Sequence, residues 1–62
     1  MEMLLLKIRN EKDVTLKELS LRTGISKSAL QRIESGEVSP TLKKLEKIAK
    51  ALGVRVTDLF KE

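Results

Sequence analysis

The sequence contains no cysteine and no histidine among its 62 residues. Without thiols there is no disulfide to staple a small fold and no thiolate site for a metal. Without imidazole, ordinary zinc ligation and histidine acid–base chemistry are both excluded. Tryptophan and tyrosine are missing too, and Phe60 is the single aromatic residue. A core must therefore be assembled from Leu, Ile, Val and Ala. Long apolar runs are also lacking: the longest, Met3-Leu4-Leu5-Leu6, falls far short of the ~20 residues needed to span a bilayer. No basic segment leads into a cleavable apolar stretch, so no secretory leader is expected and the chain reads as cytoplasmic.

These absences bound the function. A chain of 62 residues makes one domain, spanning positions 1–62, with a small core that dimerisation would help. Catalysis would have to rest on a carboxylate pair, a lysine or a serine. The nearest carboxylates, Glu34 and Glu37, straddle a helix end, and so short a chain has little room for a concave site. No enzyme, catalytic residue, metal site or cofactor is expected, and no appended domain points to a small-molecule effector. Thirteen Lys and Arg against nine Asp and Glu give a net charge of +4. That favours an anionic partner, but mildly.

What is present reads as short helices with polar punctuation, and no alternating run supports a confident strand; Val54-Arg55-Val56 is the nearest. A first helix is expected over Glu2 to Lys12, with Met1, Leu4, Leu5 and Ile8 on one face and Met3 and Leu6 on the other. Leu6 is either a scattered surface residue or part of a contact surface. Thr15-Leu16-Lys17-Glu18 is a capping box that opens a second helix, Leu16 to Thr23, with Leu16, Leu19, Ser20 and Thr23 inward. Ser26 caps a third helix, Lys27 to Glu34, which Gly36 ends. Thr41 caps a fourth, Leu42 to Leu52, with Leu42, Leu45, Ile48, Ala49 and Leu52 inward and Lys43, Lys44, Lys47 and Lys50 outside. A last short helix over Thr57 to Phe60 tucks Leu59 and Phe60, with Val54 and Val56, against the bundle. The fold class is all-α, a compact bundle of five short helices.

The break at Thr23-Gly24 is informative. Glycine inside a helix costs about 1 kcal/mol against alanine, so its place here marks a turn. Two short helices joined by a glycine-containing turn of three or four residues form a helix-turn-helix unit. On the second of them Ala29, Leu30 and Ile33 share one arc, and Lys27, Ser28, Gln31 and Arg32 occupy the other side. Gln can pair bidentately with adenine, Arg or Lys with guanine, and Ser with either base edge. A helix fits the major groove, usually with its N-terminal part foremost, where free amides also suit phosphate.

The stretches "TGIS", "RIESG", "SPTL" and "IAKALGV" resemble the Cro/C1-type, Xre-like helix-turn-helix family, over about Leu4 to Phe60. The resemblance implies a five-helix, lambda-repressor-like DNA-binding domain in which Lys27, Ser28, Gln31 and Arg32 read bases. It implies phosphate contacts from Lys17, Arg22, Ser26, Ser35, Lys43 and Lys44, and an ion pair between Arg9 and Glu34. Three positions depart from the family pattern: Leu16 replaces a common glutamine that supports the reading side chains, Asp13 a frequent glycine, and Arg55 a small capping residue. The function implied is a sequence-specific regulator of transcription on double-stranded DNA, with a repressor expected. A homodimer is expected, because pairing places two recognition helices in successive major grooves about 34 Å apart. Helix five, the loop before it and Leu6 are candidate dimer faces. The alternatives are an antitoxin or protein-interaction adaptor, with Met3 and Leu6 or Val54, Val56 and Phe60 as the contact surface, and a restriction–modification controller.

Overall fold

The computed structural model describes residues 2–61. The chain runs β1 (Glu2–Met3), α1 (Leu5–Glu11), α2 (Leu16–Thr23), α3 (Lys27–Ser35), α4 (Leu42–Leu52), a 3₁₀ turn (Val56–Leu59) and β2 (Phe60–Lys61). It is a helical bundle, with four α-helices and the 3₁₀ turn standing where five helices were expected. The expected face residue Met1 lies outside the described residues.

Local chemistry sets the boundaries. The side chains of Thr15, Ser26 and Thr41 accept from the amides of Glu18 (3.1 Å), Ala29 (3.2 Å) and Lys44 (3.2 Å), so each N-cap hydroxyl satisfies one orphan helix donor. At the other ends, α2 and α3 terminate on Gly24 and Gly36 with φ of 75° and 81°, the left-handed region that a side chain disfavours. Asp13 holds the same kind of turn before α2, with φ of 55°, a conformation that Asp tolerates better than most residues.

Leu5, Leu19, Leu30, Ile33, Ile48 and Leu59 are fully enclosed, and Ile8, Val14, Ile25, Leu45, Ala49 and Leu52 complete the core. Every helix contributes, so the bundle closes around aliphatic side chains alone. Met3, Leu4, Leu16, Ala29, Ala51, Val54 and Val56 pack against its margin. Among the described residues Thr23 is the polar one buried beside them. Its hydroxyl donates to the Leu19 carbonyl at 2.8 Å and accepts from the Ile25 amide at 3.2 Å, which stitches the turn between α2 and α3.

Four expectations need correction. The first helix begins at Leu5 rather than Glu2, because Glu2 and Met3 pair antiparallel with Lys61 and Phe60, and the Leu4 amide donates to the Leu59 carbonyl at 2.8 Å. Met3 consequently packs on the core instead of facing outward. Leu42, expected inside, is 66% exposed: it is the first residue of α4, and the tilt of Cα–Cβ bonds toward the helix N-terminus carries its side chain off the end of the core. The C-terminal helix is a four-residue 3₁₀ turn starting at Val56, opened by the Arg55 amide donating to the Asp58 carboxylate at 2.9 Å.

Candidate nucleic-acid interface

The third helix presents two chemistries. Leu30 and Ile33 anchor it in the core, with Ala29 half-buried beside them, while Lys27, Ser28, Gln31 and Arg32 are all exposed. None of these four is a carboxylate, so the outer face offers donors and cations to an approaching surface.

The far end of the helix is braced by charge. Arg9 Nε lies 2.7 Å from Glu34 Oε2, its Nη2 donates to Glu34 Oε1 at 3.4 Å, and its Nη1 donates to the Val14 carbonyl at 2.9 Å. The two side chains retain 12% and 8% of their exposure. One guanidinium thus ties α1 to the end of α3 and also holds the turn before α2, a backbone contact that the spacing of the residues did not reveal. Ion pairs this enclosed work through fixed geometry, since desolvation offsets much of their Coulomb attraction.

The candidate phosphate ligands fall into different surroundings. Lys17, Lys43 and Lys44 are exposed, the last two in the first turn of α4. The Ser26 hydroxyl is occupied as the cap of α3. The Ser35 hydroxyl donates to the Arg32 carbonyl at 3.0 Å and lies 3.4 Å from the Glu37 amide, so it finishes the same helix. Arg32 and Lys44 come together in a cleft of about 220 Å³, with Ala29, Ile33, Val38, Ser39 and Pro40 as its remaining walls. Arg22 is not part of that group. It bridges Glu18 (3.2 Å) and the Ala51 carbonyl (3.3 Å), against the C-terminal half of α4.

Sequence reasoning placed Glu37 at the helix end but missed its approach to Arg32. Its carboxylate reaches to 3.9 Å of Arg32 Nε, close enough to compete with any other acceptor for that guanidinium. The signal was faint, because the two residues are five positions apart across a helix end whose turn brings the chain back on itself.

A helix-turn-helix family profile matches residues 5–59, from the first residue of α1 to the last of the 3₁₀ turn. The chain belongs to the helix-turn-helix family of DNA-binding transcription regulators. Family members similar to it include an uncharacterized HTH-type transcriptional regulator of Methanocaldococcus jannaschii, 38% identical over 48 residues, with 77% of this chain and 73% of the relative covered. A second, from Sinorhizobium fredii and of the same description, is 38% identical over 53 residues, covering 86% and 69%. The HTH-type transcriptional regulator SlrR of Bacillus subtilis is 36% identical over 53 residues, covering 84% of this chain but 35% of SlrR. In the family's terms α2 and α3 are the paired helices, with Gly24 and Ile25 in the turn between them. No described helix is long and apolar enough to cross a membrane.

Proposed function

We propose that this chain is a sequence-specific repressor of transcription that works in the cytoplasm as a homodimer and reads the major groove of double-stranded DNA with α3. The observation that carries this reading is the outward set Lys27, Ser28, Gln31 and Arg32 on a helix whose opposite side, Leu30 and Ile33, is locked into the core. A rigid backbone with polar side chains free is what base recognition requires, since donors must meet base edges within hydrogen-bond distance. Leu16 removes one usual support of those side chains, so the reading rests on α3 itself.

Phosphates are gripped by Lys17, Lys43 and Lys44 from exposed positions, with Arg22, Ser26 and Ser35 also assigned to the backbone set. These contacts orient the duplex but carry no sequence information. Each neutralised phosphate lowers affinity with salt at a log–log slope near −0.9. A single α3 reads few bases, and two-fold pairing gives the affinity that one copy lacks.

Selection of bound sequences from a random duplex pool tests the proposal. The expected result is an enriched motif with two-fold symmetry and half-sites about 10 base pairs apart, centre to centre. Recovery of a pool without enrichment refutes sequence-specific reading, and an enriched but asymmetric motif refutes the homodimer.

A further inference from the structure

A second cationic site lies away from the reading helix. Arg22 and Thr23 of α2 and Lys47, Lys50 and Ala51 of α4 line a cleft of about 480 Å³, with no carboxylate in its walls. It shares no residue with the cleft that holds Arg32 and Lys44. Lys43, Lys47 and Lys50 follow the spacing i, i+4, i+7, so they form one stripe along α4, and like charges at such spacings destabilise a helix. Among the described residues, none of the three makes an ion pair.

Part of the charge has a local explanation. Arg22 engages Glu18 and the Ala51 carbonyl, and Lys50 sits in the last turn of α4, where a cation complements the helix dipole. Glu18 answers Arg22, and the end of α4 together with Glu46 one turn earlier answers Lys50, which leaves Lys47 as the cation without a counter-charge in the cleft walls. Lys47 lies outside the last turn and answers neither helix end. Its placement in the wall of a cleft that Arg22 also lines is unexplained by stability and suits an anion with several acceptor oxygens. The Arg22 guanidinium can exchange its exposed contact with Glu18 for such a ligand.

We infer that Arg22, Lys47 and Lys50 form a phosphate-binding site separate from the base-reading face. The phosphate comes either from a DNA backbone lying along the α4 stripe or from a free phosphorylated molecule. The site stands on its own geometry, and only the first of these sources rests on the DNA-reading proposal.

Pyrophosphate titration of the full chain at constant ionic strength, followed by backbone amide shifts, tests it. Saturable shifts are expected at Thr23, Lys47, Lys50 and Ala51, with at least tenfold weaker binding in the Lys47→Gln/Lys50→Gln double variant; both are surface lysines, so the fold is retained. The DNA arm measures the salt dependence of duplex binding. If the duplex supplies the phosphate, the double variant lowers the log–log slope by about 0.9 per lost contact. An unchanged slope with saturable pyrophosphate binding assigns the site to a free ligand. No saturable shift at these residues, together with a wild-type slope in the double variant, overturns the inference. Lys27→Ala in the same duplex titrations reports on the reading helix, so failure there is distinguishable from failure of this site.

Discussion

Replacing Arg9 and Glu34 by alanine, singly and together, puts a number on the brace behind α3. Glu34→Ala removes both carboxylate contacts, at 2.7 and 3.4 Å, but leaves Arg9 bonded to the Val14 carbonyl at 2.9 Å. Arg9→Ala strands two acceptors instead, the Glu34 carboxylate and the Val14 carbonyl. Breaking an enclosed pair from one side costs about 3–5 kcal/mol, and an orphaned buried acceptor adds to it. Glu34→Ala should therefore cost about 3 kcal/mol and Arg9→Ala about 4 kcal/mol. A chain of 62 residues has a total stability of about 3–9 kcal/mol, so either variant sits near the edge of folding. Urea unfolding of all four proteins in the same stabilising osmolyte keeps them measurable. The double variant should be less destabilised than the two losses summed, by at least about 1.5 kcal/mol. Arg9→Met with Glu34→Leu should return most of the stability, because an apolar pair avoids the desolvation cost. Additive losses, or a Glu34→Ala variant as costly as Arg9→Ala, would refute the reasoning.

The other expectations are more local. Thr23→Val keeps the shape but removes a hydroxyl bonded to the Leu19 carbonyl and the Ile25 amide; unfolding free energy should fall by about 1–3 kcal/mol, and a neutral result would sink the stitching role. Gly24 has open space where a Cβ would stand but a φ of +75°, so Gly24→Ala should cost about 1–2 kcal/mol through backbone strain alone. Asp13→Gly relieves the same strain at φ of 55° and should raise stability by about 0.5 kcal/mol after the added chain entropy. Arg32→Ala should weaken the preferred duplex by about 1–3 kcal/mol and relax selectivity at one base pair in a site library; unchanged selectivity removes Arg32 from the reading set.

How much of this was legible in the chain follows from the range of the signals. The caps Thr15, Ser26 and Thr41 and the glycines Gly24 and Gly36 act within four residues, and their helices begin and end beside them as read. The exposed side of α3 was readable for the same reason, because a helical period sorts Lys27, Ser28, Gln31 and Arg32 from the buried Leu30 and Ile33. The β1–β2 pairing was not: it joins residues nearly sixty positions apart through backbone groups, which leave no trace in side-chain periodicity. Leu42 was misplaced because periodicity assigns a direction without knowing where the core stops. The Arg32–Glu37 approach and the cleft between Arg22 and Lys47 both depend on how a helix end meets its neighbour, and that is decided by packing.

The small ribbon has a further consequence. Glu2 faces Lys61 across it, so the two ends of the described backbone emerge side by side. A few residues linking Glu2 to Lys61 would close this stretch of backbone into a ring without disturbing the bundle. New ends opened in the exposed stretch between α3 and α4 would yield a circular permutant in which α3 comes last, and the same architecture would survive with its order rewritten.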